Sequence, residues 1–317
     1  MAKLTKLIDS QALHSLIQNK TEGVKILDCT YARHIPPELD NLEEFNKKTY
    51  GNLSELLKMP SPNRDTYLAS HIPTANFIDI NIATCPKPNE PFALYEPEIF
   101  EKYVQFLGIN QDDHLVLYGR GLLGGMLWAG KTYGHDNISI LNGGLADWQA
   151  KGYPVENFNE VPIIPTGNWK ANFRSELMVK FEEIVQHEPE NSTDLKELAK
   201  KFNILDVRNR GVYEGKEDAG FDSTKITGSY IPGTKNIPIA ELVDPNGNLK
   251  SNEEIEKKLK EANFDPKKPC ITMCSMGTGA ALLAFILGQF NLKAPIRVYN
   301  GSMKEMEARD PKKISGR

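Results

Sequence analysis

The chain has 317 residues, of which 40% are apolar and 25% charged, with a formal net charge of −4. This is the composition of a globular protein with one large or two ordinary domains, and it excludes a general nucleic-acid binder, which needs a basic excess. Four cysteines, Cys29, Cys85, Cys270 and Cys274, are too few for a disulfide scaffold of this length and lack the paired spacing of a zinc site, so a reducing compartment is expected.

The N-terminal stretch MAKLTKLIDSQALHSLI predicts an amphipathic helix, with Leu4, Leu7, Ile8, Leu13, Leu16 and Ile17 on or near one face. It lacks the apolar core of a signal peptide and is poor in arginine, unlike a transit peptide. The expected location is cytoplasmic, with mitochondria the alternative. No apolar run is long enough for a bilayer, since the longest, 280–290, is interrupted by Gly288 and Gln289.

Further along, KILDC (25–29), FIDI (77–80), HLVLYG (114–119) and ISILN (138–142) are strand-like, and EPEIFEKYVQFLG (96–108) is helix-like. The stretch 153–176 holds three prolines and no helical period, and predicts a linker. Beyond it, NILDV (203–207), NIPI (236–239), CITMC (270–274) and RVYN (297–300) are strand-like. SNEEIEKKLKEA (251–262) is helical, with Ser251 and Glu254 spaced as a capping box. The polar segment from residue 306 on is expected to fray or to wrap the surface.

These elements repeat. VKILDCTYAR (24–33) matches FNILDVRNRG (202–211), and ASHIPTANFIDI (69–80) matches GSYIPGTKNIPI (228–239). HLVLYGRGLLGGMLWAG (114–130) matches PCITMCSMGTGAALLAF (269–285), and ISILNGGLADW (138–148) matches IRVYNGSMKEM (296–306). Order is kept, and a single insertion around residues 34–64 accounts for the one uneven spacing. The expected organisation is one domain over 1–152, a linker over 153–176 and a second domain over 177–317. Alternating strands and helices predict an α/β fold, a mostly parallel sheet with helices on both faces in each domain. Ligands of such sheets bind beyond the C-terminal ends of the strands.

That rule draws attention to Cys274. ITMC delivers it to a strand end, the SMGTG loop permits a tight turn, and a helix follows. Converging N–H groups and the helix dipole there make an anion site, where a thiolate is stabilised and nucleophilic. A buried structural cysteine is the competing reading. Cys270, inside the strand, reads as core; Cys29 reads as core at a strand end, and Cys85, beside Pro86, as exposed in a loop. A phosphatase of the C-x-x-x-x-x-R type is disfavoured, because the arginine position is Ala280.

LDVR (205–208), YIPGTKNIPI (230–239), the Cys274 loop and VYNGSMKEM (298–306) resemble the catalytic domain of the two-domain rhodanese family, the thiosulfate and 3-mercaptopyruvate sulfurtransferases. LDCTYAR, HIPTANFIDI and LNGGLADW resemble the inactive partner domain. The resemblance implies tandem rhodanese-like domains and a Cys274 persulfide that takes sulfur from a small anionic donor. It implies a thiol acceptor, either a small thiol or a thioredoxin-like protein, or cyanide, with no metal, cofactor, nucleic acid or membrane. Gly119 at the cysteine position makes the first domain inactive. The implied active-site loop is Ser275, Met276, Gly277, Thr278 and Gly279, with Arg208 and Arg210 as candidates for the substrate anion and His71 with Asp65 as a proton relay.

The loop departs from the family. Thiosulfate enzymes carry C-R-K-G-V-T and mercaptopyruvate enzymes C-G-S-G-V-T, whereas this chain has C-S-M-G-T-G. It thus lacks the loop cations, and Met276 takes the serine position. Val212 takes the place of a substrate-binding arginine, with an Asp206 or Glu214 ion pair the alternative role for Arg208, and Tyr230 replaces a histidine. The implied activity is sulfur transfer from thiosulfate or 3-mercaptopyruvate; the alternatives are a low-turnover persulfide-binding or regulatory module, and a structural scaffold.

Overall fold

Residues 4–31, 42–120, 130–218, 229–290 and 292–316 are described by the structure, a computed structural model. The chain divides into two compact units, one of residues 1–86, 94–174 and 245–249, the other of 87–93, 175–244 and 250–317. In chain order the strands are β1 (Leu7–Ile8), β2 (Val24–Asp28), β3 (Asn76–Phe77), β4 (Thr84–Lys87), β5 (Glu90–Leu94), β6 (His114–Tyr118) and β7 (Ile138–Leu141). They continue with β8 (Met178–Val179), β9 (Asn203–Asp206), β10 (Lys235–Asn236), β11 (Cys270–Met273) and β12 (Ile296–Tyr299).

The first unit holds a five-stranded sheet in the order β1-β7-β6-β2-β3, the second a sheet in the order β10-β9-β11-β12-β8. Every pairing in both is parallel. Read from β1 and from β8 the two orders are the same, so the sequence repeat is a repeat of topology. A two-stranded sheet of β4 and β5 stands apart. No helix among the described residues is long and apolar enough to cross a membrane.

In the second unit β11 lies between β9 and β12 and is buried along its length. Alternation sends Ile271 and Met273 into a core with Val179, Leu198, Ile204, Tyr299 and Met306. The helix Thr278–Leu287 is buried at every position from Ala280 to Leu287, as a helix apolar on all sides must be.

Several expectations need correction. The first helix spans only Ser10–Gln18, because Asp9 caps it by accepting the Ala12 N–H, and Leu7 and Ile8 pair in β1 instead. FIDI yields strand only at its start, since Asp79 caps the helix Ile80–Ala83. NIPI likewise contributes only Asn236, because Pro238 has no N–H for the ladder. Cys85 is not exposed: it is buried in β4. The stretch 153–174 packs on the first unit, where Trp169 is buried and donates from Nε1 to His135 Nδ1 at 3.0 Å. The C-terminal segment wraps, with Ile314 and Lys313 buried and Ser315 bridging to Tyr230. The Ser251 capping box is present as expected.

Candidate functional site

β11 ends at Met273, so Cys274 stands at the C-terminal end of the central strand of the second unit. The turn after it is shorter than the sequence predicts, because the helix begins at Thr278 with Gly277 as its cap. Gly277 adopts φ +97°, and its N–H donates to Cys274 Sγ at 3.0 Å. The sulfur thus has an N–H donor at a helix N-terminus, where the backbone carries partial positive charge. Among the described residues no other loop group bonds Sγ. Ser275, Met276, Thr278 and Gly279 are half-buried around it. A Cβ on Gly279 would lie 3.0 Å from Val207 Cγ2 and 3.8 Å from Sγ, so glycine there keeps the space beside the sulfur open.

The neighbouring strand supports the turn from behind. β12 leads into Asn300, Gly301 and the helix Ser302–Arg309. Ser302 Oγ accepts the Cys274 N–H at 3.1 Å and donates to the Tyr299 carbonyl at 2.7 Å. The Met303 and Lys304 N–H groups donate to the Cys274 and Ser275 carbonyls at 3.1 and 3.0 Å. The first N–H groups of this helix, which have no partner within it, thus hold the cysteine backbone. Ser302 takes φ +51°, uncommon for a residue with a side chain, and its two hydrogen bonds hold it there. Residue-by-residue reading did not single out Ser302 or Asn300; the repeated N-G-[GS] after the last strand of each half was the available signal.

The other candidates are placed elsewhere. Arg208 is buried against Asp206, with Nη2–Oδ2 at 2.6 Å, Nε 3.0 Å from each carboxylate oxygen, and Nη2 2.7 Å from the Ser229 carbonyl. Its Nε and Nη2 make a structural ion pair while Nη1 is buried with no hydrogen-bond partner among the described residues, and Glu214 pairs with Lys216 instead. Arg210 bonds Glu241 at 2.8 Å beside a cleft of about 500 Å³ that Lys258 and Glu261 also line. Among the described residues neither arginine contacts the Cys274 loop.

His71 and Asp65 belong to the first unit. His71 is fully buried, stacked on Tyr67, with Nδ1 2.9 Å from the Tyr67 carbonyl. Asp65 is exposed in the first turn of the helix Pro62–Ala69, and the two are not in contact. Gly119 follows β6 as Cys274 follows β11, and residues 121–129 lie outside the described residues. Arg120 is exposed and donates to the Thr66 carbonyl at 3.0 Å. Of the remaining cysteines, Cys29 and Cys270 are buried in the cores of their units, and burial pushes the Cys270 thiol up to about 11.

The family model of the Rhodanese-like domain matches twice, over residues 13–151 and 191–309. The chain belongs to the rhodanese family. This rhodanese-family protein is 40% identical over 324 residues to a Caenorhabditis elegans protein named as a candidate thiosulfate sulfurtransferase, covering 98% of this chain and 97% of that one. It is 30% identical over 261 residues to the 3-mercaptopyruvate sulfurtransferase of Escherichia coli K12, covering 80% and 88%. Among solved structures it resembles Escherichia coli SseA, described as a 3-mercaptopyruvate sulfotransferase, at a TM-score of 0.70 and 26% identity over 94% of this chain and 99% of that one. The Tum1 protein of Saccharomyces cerevisiae shares the fold at a TM-score of 0.77 and 24% identity, over 98% of each chain.

A residue at the turn itself gives a direct test of this geometry. A Cβ on Gly277 would lie 2.3 Å from Asn300 Oδ1 and 2.7 Å from the Asn300 carbonyl oxygen, at a φ that disfavours any side chain. Gly277→Ala is expected to lower stability by about 1–3 kcal/mol and to move the N–H off the sulfur. Urea unfolding together with the alkylation rate of Cys274 checks both.

Proposed function

We propose that the protein is a sulfurtransferase that moves a sulfane sulfur from a small anionic donor to a thiol or cyanide through a persulfide on Cys274. The observation that carries it is the Sγ of Cys274 at the end of β11, held by the Gly277 N–H at a helix N-terminus. The thiolate attacks the outer sulfur of the donor. An S–S bond forms on Cys274, the donor's bond to that sulfur breaks, and sulfite or the enolate of pyruvate leaves with the electron pair. An acceptor thiolate or cyanide then attacks the outer sulfur and Cys274 leaves as thiolate, ready for the next cycle. The Gly277 N–H and the helix dipole stabilise charge on sulfur in both steps, in the manner of an oxyanion site. In the first half Gly119 stands at the corresponding position, which therefore carries no thiol for this chemistry.

A second reading, a persulfide-binding module of low turnover, is favoured by one observation. Both candidate arginines pair with carboxylates, and neither contacts the Cys274 loop among the described residues. Peptide mass spectrometry after brief incubation with thiosulfate or with 3-mercaptopyruvate, without acceptor, separates the outcomes. One added sulfur on Cys274 from a single donor, discharged rapidly by a thiol, is the expected result and names the donor class. Sulfur that loads but is not discharged by any acceptor supports the module, and no sulfur from either donor overturns the transfer reading.

A further inference from the structure

We propose that Glu90, more than two hundred residues before the cysteine loop's support in the sequence, is a positioning residue for Cys274 and acts through Asn300. Residues 87–93 group with the second unit, although they precede the rest of it in the chain. Glu90 opens β5, and its Oε1 accepts a hydrogen bond from Asn300 Nδ2 at 2.7 Å. The same Nδ2 donates to the Phe92 carbonyl at 2.7 Å. The Phe92 carbonyl can only accept, so it fixes the amide orientation: nitrogen toward β5, oxygen away from it.

The oxygen side is the side that meets the turn. Asn300 Oδ1 and the Asn300 carbonyl fill the space where a Cβ of Gly277 would stand. Only glycine allows this approach, and at φ +97° its N–H meets Cys274 Sγ, so the seat of Asn300 and the aim of the N–H are coupled. Two residues beyond Asn300, Ser302 Oγ holds the Cys274 N–H. One amide clamp therefore bears on both the backbone and the sulfur of the cysteine.

Glu90 is itself unusual. It has no cationic partner among the described ion pairs, and burial with the nearby Glu305 pushes its carboxyl up, against Lys87 and the Asn300 hydrogen bond. Glu90 is half-buried, and a carboxyl partly withdrawn from water without a counter-ion carries a cost that its hydrogen bond to Asn300 offsets.

The inference rests on Cys274 being the nucleophile, but its readout needs no sulfur donor. Alkylation of Cys274 by iodoacetamide, followed by peptide mass spectrometry over a pH series, reports the thiolate directly. Glu90→Ala and Asn300→Ala are each expected to slow alkylation at neutral pH about tenfold and to move the profile to higher pH, as loss of a hydrogen bond to an anion would. Glu90→Gln retains an acceptor for Nδ2 and is expected to restore the unsubstituted profile. The double variant Glu90→Ala/Asn300→Ala is expected to be no slower than the slower single, because the two residues act in series. Glu90→Asp, one methylene short of Asn300, carries the same expectation if Glu90→Ala does not fold. Unchanged profiles in the single variants, or effects that add in the double, overturn the inference. A protein that alkylates normally yet takes no sulfur overturns the transfer reading and leaves this inference standing.

Discussion

Cys274→Ser is expected to lower sulfur loading by more than about a thousandfold, the scale on which removing a covalent nucleophile acts. A serine hydroxyl is not ionised near neutral pH, so the N–H of Gly277 has no anion to stabilise. The fold should tolerate the change. The support of residue 274 is through its backbone, from Ser302 Oγ, Met303 and the parallel neighbours of β11, none of which needs sulfur. A hydroxyl can also accept the Gly277 N–H, and the urea midpoint should move by less than about 1 kcal/mol equivalent. Cys270→Ser supplies the control. Its thiol lies in the core of the same strand, pushed up to about 11 by burial, and is protonated at working pH. Peptide mass spectrometry after donor incubation should show sulfur on Cys274 in that control and none anywhere in Cys274→Ser. Sulfur appearing on another cysteine in Cys274→Ser would relocate the chemistry and remove the role given to the turn.

The parallel sheets were open to sequence reading because their central strands are largely buried, so KILD, HLVLY, NILD and CITM each carry a short apolar run. Their repetition at matched positions then implied a shared topology. The two-residue edge strands β1 and β8 are too short for any period to show. The β4–β5 pair was hidden for another reason: Pro86 beside Cys85 reads as a loop, and only contacts made in the fold bury it. At the site, a cysteine between a strand and a glycine turn announced itself through local chemistry. For Arg208 the spacing left a substrate anion, Asp206 and Glu214 as possible partners, and the fold supplies the Asp206 pair. Glu90 gave no signal, since its connection to Cys274 runs through Asn300 and Gly277 and exists only in three dimensions.

Arg208 provides the second large effect. Its side chain is 4% exposed and that of Asp206 is fully buried, and the pair is joined by Nη2 and Nε to both carboxylate oxygens. Asp206 also accepts the Arg208 N–H at 3.0 Å, and its carbonyl accepts from Ile237 N at 2.8 Å and Asn236 Nδ2 at 3.0 Å, so the carboxylate cannot swing to water without disturbing the junction of β9 and β10. Arg208→Ala strands that carboxylate, and is expected to lower stability by about 3–5 kcal/mol. The loss should extend to the chain end, because Arg208 also holds the Ser229 carbonyl, beside which Ser315 pairs with Tyr230. The repeat offers a comparison: Asp28, at the same place in the first unit, has Thr30 where Asp206 has Arg208, and burial pushes its carboxyl up. Removing both charges with Asp206→Asn/Arg208→Met should recover part of the loss, since the cost lies in the stranded ion rather than in the missing attraction. Urea unfolding at neutral pH measures each step, and KM for the sulfur donor on the folded fraction gives the discriminating readout. An arginine that held substrate would raise KM about tenfold or more and barely move the unfolding midpoint. A buried structural pair does the reverse, and a result of the first kind would return Arg208 to the substrate site.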